Sequence, residues 1–283
     1  MSFLHKIAAV ALFTAAVPLN AGAADNEWQA KVAEALGKQG TAMPGNVYRV
    51  GLPRTDIHAK LDGVELKPGF ALGGWLAFEP MGNQAMVMGD LVLTGDEVAP
   101  VMQKLLDGGI AVTALHNHLL RNEPFTMYMH VLGTGDPVKR ATTLHTALAT
   151  SKTPLGPAPS GSSQQQAAAP AAAPQLDLDT AAIDEALGAK GTNNGGVLQY
   201  GIPRAEPIKE GGMEVPAALG SANAINFQPT GGGKAAITGD FVLTAKEVAP
   251  VMQALRAGGI EVTALHNHML GEEPRLFYAF LGE

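Results

Sequence analysis

Residues 90–120 read DLVLTGDEVAPVMQKLLDGGIAVTALHNHLL, and residues 240–270 read DFVLTAKEVAPVMQALRAGGIEVTALHNHML. About three positions in four are identical, at a constant spacing of 150 residues. That period is too long for a solenoid unit and fits a whole domain, so the chain is a tandem duplication. Fainter echoes extend it: Ala35-Leu36-Gly37 matches Ala186-Leu187-Gly188, and Gly51-Leu52-Pro53-Arg54 matches Gly201-Ile202-Pro203-Arg204.

The quoted block predicts its own local structure. Thr94 with Glu97, and Thr244 with Glu247, have capping-box spacing. Val98, Val101, Met102, Leu105 and Leu106 form one apolar stripe at helical spacing, and Gly108-Gly109 supplies the stop. Pro100 is awkward at that depth and predicts a kink or a later helix start. The next stretch alternates, which places Ile110, Val112, Ala114, His116 and His118 on one face of a strand reaching His118. Arg121-Asn122-Glu123-Pro124 then turns the chain into an antiparallel strand over 125–132. A helix over roughly 136–149 closes the first half, and the second half stops at Glu283 without it. The expected fold class is α+β: two similar domains, each a mainly antiparallel sheet with helices packed on one face. A mixed sheet results instead if the helix before Ile110 crosses between parallel strands. Similar histidine clusters in both halves allow intramolecular pairing of the two repeats about a pseudo-two-fold axis.

Composition narrows the class of protein. The 283 residues are 46% hydrophobic and 16% charged, which suits a globular chain, and the net charge of −7 carries no basic run. A nucleic-acid partner is not expected, because phosphate contacts need clustered Lys and Arg. No cysteine is present, which excludes disulfides, thiolate ligands and a lipoprotein-type lipid anchor. Residues 1–24 read as a signal peptide: His5 and Lys6, an apolar run from Ile7 to Val17, then the small-residue tail Ala21-Gly22-Ala23-Ala24. The expected location is the periplasm or the exterior, with no later apolar run long enough for a membrane span. The first domain is expected over 25–150, a Pro/Ala/Ser/Gln-rich linker over 151–175 and the second domain over 176–283.

The histidines carry the chemical signal. A His-x-His pair on a strand sets two Cα atoms about 7 Å apart on one side, close enough for both rings to reach one ion. The metal candidates are therefore His116, His118 and His130 in the first half and His266 and His268 in the second. Imidazole ligands fit a divalent transition metal, zinc first, with copper or iron as alternatives. Glu123 is the catalytic candidate, as a general base or fourth ligand. Arg54 and Arg204 are the substrate-binding candidates, although an ion pair is the plainer reading of each. His58 and His145 have no motif around them and read as surface residues. His116-x-His118-x4-Glu123 also resembles the first metal motif of cupins, but a capped helix stands where a cupin would place strands.

These motifs resemble the LppY/LpqO-like domain, a family of exported bacterial proteins of unassigned function. The likeness rests on Gly89-Asp90-Leu91-Val92-Leu93-Thr94, Glu97-Val98-Ala99-Pro100-Val101-Met102, Gly108-Gly109-Ile110, Val112 through His118, Glu123-Pro124 and Tyr128-Met129-His130. The resemblance implies export and transfers no activity. The second copy departs at Tyr278-Ala279-Phe280, read as one residue short and without a counterpart of His130. Two functions are therefore expected. The first is a periplasmic metal-binding protein, with hydrolase or lyase chemistry at the N-terminal repeat on a small molecule or cell-envelope component as its enzymatic form. The second is a non-enzymatic module binding envelope glycan or protein, with structural histidines.

Overall fold

The computed structural model describes residues 21–156 and 174–282. The expected signal peptide lies almost wholly outside them, as do residues 157–173 of the expected linker. The first repeat runs α1 (Ala21–Leu36), β1 (Thr41–Met43), β2 (Val47–Pro53), β3 (Lys60–Leu61), β4 (Val64–Glu65) and α2 (Pro68–Ala71). It continues through β5 (Gly73–Met81), β6 (Gln84–Thr94), α3 (Gly95–Asp107), β7 (Ala111–His116), β8 (Thr126–Gly135) and α4 (Pro137–Leu148). The second repeat runs α5 (Thr180–Leu187), β9 (Thr192–Asn194), β10 (Val197–Pro203), β11 (Lys209–Glu210), β12 (Met213–Glu214) and a 3-10 turn at Ala217–Leu219. It ends with β13 (Ala222–Gly231), β14 (Lys234–Thr244), α6 (Ala245–Ala257), β15 (Val262–His266), β16 (Glu272–Glu273) and β17 (Leu276–Gly282).

Each repeat builds a six-stranded sheet, ordered β1-β2-β5-β6-β8-β7 in the first and β9-β10-β13-β14-β17-β15 in the second. Every neighbouring pair is antiparallel, so the α+β expectation holds without the mixed-sheet alternative. α3 leads from β6 to β7, but β8 inserts between those two strands and pairs with both. The helix runs unbroken from Gly95 through Pro100, so the proline does not delay its start. Its first turn is closed by Glu97, whose carboxylate accepts the Thr94 N–H at 3.0 Å. Glu247 accepts the Thr244 N–H at 2.7 Å in the same way.

One face of the first sheet packs on α1, α3 and α4, burying Leu36, Leu76, Phe78, Val101, Leu105 and Leu144. His145 is not a surface residue: its Nδ1 lies 2.9 Å from the Leu36 carbonyl oxygen and joins α4 to α1. Residues 151–156 belong to this layer rather than to a free tether. The Lys152 N–H donates to Glu97 at 2.7 Å, and Lys38 Nζ donates to the Pro154 carbonyl at 2.9 Å. The second sheet rests on α5 through Leu198, Tyr200 and Ile225, with Ile183, Leu187 and Phe241 partly buried, and α6 lies against β14, β15 and β17.

The other face of each sheet packs against the other repeat. Val47, Ala77, Met86 and Met88 of the first repeat share a core with Ile208, Val215, Leu219, Met269 and Tyr278 of the second. Reciprocally, Val197 and Phe280 join Ile57, Leu66, Phe70, Leu119 and Tyr128. Hydrogen bonds repeat the exchange. Thr113 Oγ1 donates to the His268 carbonyl at 2.5 Å, and Thr263 Oγ1 donates to the His118 carbonyl at 2.6 Å. The two repeats therefore close on each other about a pseudo-two-fold axis, and the His-Asn-His loops lie at the junction.

Candidate metal centre between the repeats

The histidines do not lie on one unbroken face of a strand. β7 ends at His116, and a bulge between Val112 and Ala114 shifts its register against β8. The alternation read from Ile110 to His118 fails there, because the extra residue turns Thr113 inward to reach the second repeat. His118 lies in the loop beyond the strand and is buried. Asn117 Nδ2 holds that loop by donating to the Leu119 carbonyl at 3.3 Å, and Asn267 Nδ2 donates to the Met269 carbonyl at 3.0 Å.

The site expected in the N-terminal repeat is instead shared. His116, His118, His266 and His268 each offer a ligand atom within 4.8 Å of all the others, so these four could hold a metal ion. The His116 and His266 rings stack at 3.7 Å between centroids. His130 stacks on His268 at 3.7 Å, while Phe280 stacks on His118 at 4.0 Å. Those two contacts are equivalents, because Phe280 occupies the position of His130: it pairs with Asp240 as His130 pairs with Asp90. The second copy is thus not one residue short; it carries a phenyl ring where the first carries an imidazole. His130 stands beside the four-histidine group rather than within it.

Burial keeps these rings neutral, the form that can ligate. It draws His116 and His266 down to about 4, in each case as the largest effect. His118, His130 and His268 are also held well below the ordinary value, first by burial and then by neighbouring rings. His116 Nε2, His118 Nε2, His130 Nε2 and His266 Nδ1 are buried with no hydrogen-bond partner among the described residues. Buried polar atoms are seldom left so. His266 Nε2 and His268 Nε2 approach to 3.0 Å, a separation suited to a shared proton or to two lone pairs facing one cation. The donor set therefore fits an ion.

Two carboxyl groups stand beside the rings, and sequence reasoning missed their chemistry. Asp90 and Asp240 open the duplicated block directly before the apolar runs Leu91-Val92-Leu93 and Phe241-Val242-Leu243, where an acidic residue within a strand is itself a signal. The glycine before each admits a close neighbour: a Cβ on Gly89 would meet the Trp75 carbonyl oxygen at 2.8 Å, and one on Gly239 would meet the Ala224 oxygen at 3.1 Å. Burial, reinforced by Asp240, pushes Asp90 up to about 8 against the pull of Arg49. Burial pushes Asp240 up to about 6, opposed by His266. Both line a cleft of 1330 Å³ between the repeats, together with His118, His130, His268 and Tyr128. On its wall Arg49 lies over the Trp75 ring at 4.0 Å and donates to the Ala218 carbonyl of the other repeat.

The remaining candidates fall elsewhere. Glu123 is exposed on its turn, its main chain bridged to Lys60 in both directions at 2.9 Å, and it does not line the cleft. Arg54 is almost wholly buried and is held by Glu97 at 2.7 Å and Asp56 at 2.8 Å. Arg204 pairs with Glu247 at 2.9 Å and Glu206 at 2.5 Å. Arg54 ties the end of β2 to the first turn of α3, and Arg204 ties the end of β10 to the first turn of α6; neither lines the cleft as a substrate-binding residue.

Among the described residues no helix is long and apolar enough to cross a membrane. No curated protein matches the chain. A solved structure that aligns with it is titled as a trimeric bacterial microcompartment shell protein, PduB. The two are 10% identical over 86% of this chain and 82% of that one, and a TM-score of 0.18 carries no argument about fold. The LppY/LpqO-like likeness remains one of motifs. A family model described as Domain of Unknown Function (DUF1259) matches residues 30–150 and again residues 181–282, and the chain belongs to that family, carrying its domain twice.

Proposed function

We propose that this is an exported metal-binding protein whose ion sits between the repeats, held by His116, His118, His266 and His268. The observation that carries the reading is the convergence of four neutral imidazoles, His118 and His268 buried and His116 and His266 half-buried, from the two sheets. Zinc is the first candidate, with copper and iron next, since imidazole suits all three. Export to the periplasm or exterior rests on the amino-terminal pattern of basic, apolar and small residues in positions 1–24.

We assign the centre to a hydrolase or lyase reaction on a small molecule or cell-envelope component taken into the cleft. A bound divalent ion would supply Lewis acidity there. The protein's own part is to exclude water behind the stacked rings and to seat the ligand. The Arg49 guanidinium on Trp75, one wall of the cleft, offers it a flat cationic surface. Glu123 has no place in this scheme, because it stands outside the cleft.

Metal analysis of protein purified without a histidine tag tests the reading. Stoichiometric metal in the wild type, lost in a His116→Ala/His118→Ala variant, is the expected result. Ring stacking at 3.4 to 4.0 Å favours one rival: a binding module in which the histidines serve as packing. That rival requires a metal-free wild type whose stability is unchanged by chelator. Fractionation of cells producing the full chain, with sequencing of the mature amino terminus, tests export.

A further inference from the structure

Resting on that metal reading, we propose that the junction takes a second cation, beside the four-histidine centre and toward the cleft, bound by Asp90, His130 and Asp240. The four imidazole ligand atoms already span 4.8 Å, beyond the roughly 4 Å across which metal–nitrogen bonds near 2 Å can join opposite ligands. One ion that draws them in cannot also reach outward to further donors. Yet further donors are present and unsatisfied.

Asp90 Oδ1, Asp240 Oδ1 and His130 Nε2 are all buried without a hydrogen-bond partner among the described residues. His130 Nε2 lies 3.8 Å from Asp90 Oδ1, and Asp240 Oδ2 lies 3.3 Å from His268 Nε2. The side chain of His130 is only 5% exposed, and that of Asp90 only 13%. Among the described residues no Lys or Arg forms an ion pair with either aspartate. Two carboxyl groups from separate repeats thereby line one cleft, with Arg49 acting on Asp90 from beyond ion-pair distance, an arrangement that is costly unless a closer positive charge stands with them. All three side chains line the cleft, so an ion has a route of entry.

The difference between the repeats fixes the number of additional ions at one. The pseudo-two-fold mate of His130 is Phe280, which cannot ligate. The second position therefore lies off the axis, on the side of the first repeat. Two carboxylates and one imidazole suit zinc, manganese or ferrous iron. Two adjacent divalent ions form the kind of clamp that hydrolases use to hold both the attacking and the leaving oxygen.

The test counts ions bound to the full chain. Tag-free protein is stripped with chelator, re-equilibrated with Zn2+ by dialysis and assayed for zinc per chain, with circular dichroism confirming the fold. The wild type should hold two ions, and His130→Phe and Asp90→Asn should each hold one. Phenylalanine is tolerated at the equivalent position 280, and Asp90→Asn decides independently should His130→Phe fail to fold. A single ion in the wild type, lost in His116→Ala/His118→Ala but indifferent to His130→Phe, would overturn this proposal and leave the four-histidine centre standing. Two ions retained in both single variants would also overturn it. A wild type that binds none removes both readings.

Discussion

The two repeats differ in how their outer helices are covered, while the His-Asn-His loops through which they meet correspond closely. In the first repeat α3 is covered by α4 and by residues 151–156, and it buries Glu97, Val101 and Leu105. In the second repeat the equivalent helix α6 has no fully buried side chain, and no counterpart of α4 occurs among the described residues. At the junction, by contrast, the loops, the threonine hydrogen bonds and the His-Asn-His triplets correspond one for one. Only His130 and Phe280 differ among the stacked rings. The stretch written twice thus reaches both layers: its helix half covers each sheet from outside, and its closing Thr-Ala-Leu-His-Asn-His lies where the repeats meet.

The largest expected effect concerns the shared interior and the metal-free protein. Unfolded imidazoles bind their protons near pH 6.5, whereas burial holds His116 and His266 near 4 and the other three rings well below their ordinary value. Between those values the unfolded chain carries more protons, so stability rises with pH, by about 1.4 kcal/mol per pH unit for each proton of difference. Asp90 and Asp240 act in the opposite sense. Raised to about 8 and 6, they keep protons that unfolded carboxyls have released, so their contribution is present at low pH and fades as each folded value is crossed. Five rings outweigh two carboxyls. Urea midpoints should fall steeply from pH 6.5 to 4 and gently from 7 to 8; a flat acid limb would mean that the rings are not buried neutral.

Next in size is the buried arginine. Arg54→Ala strands Glu97 and should cost about 3–5 kcal/mol, the usual penalty for breaking a buried pair. Arg204→Ala should cost well under half of that, because Glu206 and Glu247 are 44% and 33% exposed and water can replace the partner. Leu105→Ala should cost about 2–5 kcal/mol, while Leu255→Ala at the equivalent, half-buried position should cost under about 1.5 kcal/mol. Equal costs in either pair, measured by denaturant unfolding, would break the contrast between the outer layers. The smallest effect belongs to Arg121, which joins Asp62 at 2.9 Å to Glu261 of the other repeat at 3.0 Å on the surface. Arg121→Ala should leave the unfolding midpoint unchanged, since exposed pairs of this kind contribute little.

Local signals in the sequence reached as far as local physics does. Thr94 and Glu97 announced the start of α3, Gly108-Gly109 its end, and the duplication was plain from the two copies of Thr-Ala-Leu-His-Asn-His. The bulge at Val112/Ala114 was not legible, because strict alternation is the only pattern a strand imposes on its neighbours in sequence. The insertion of β8 between β6 and β7 is a long-range choice with no local mark. The site was half legible. His-x-His pointed to it, but reading each repeat separately assigned His130 to a three-histidine centre and Glu123 to its chemistry. Docking the repeats supplied His266 and His268 in place of His130 and brought Asp90 and Asp240 into view.

The central claim is that residues from both copies hold one ion between them. Single substitutions on either side of the axis test it most directly: His116→Ala and His266→Ala, each in the full, tag-free chain, with zinc affinity measured by competition against a chelating dye. The shared centre predicts that both variants lose affinity for the same tight-binding ion to a similar extent. If His266→Ala binds that ion as the wild type does while His116→Ala does not, the ion belongs to the first repeat alone and the account is contradicted.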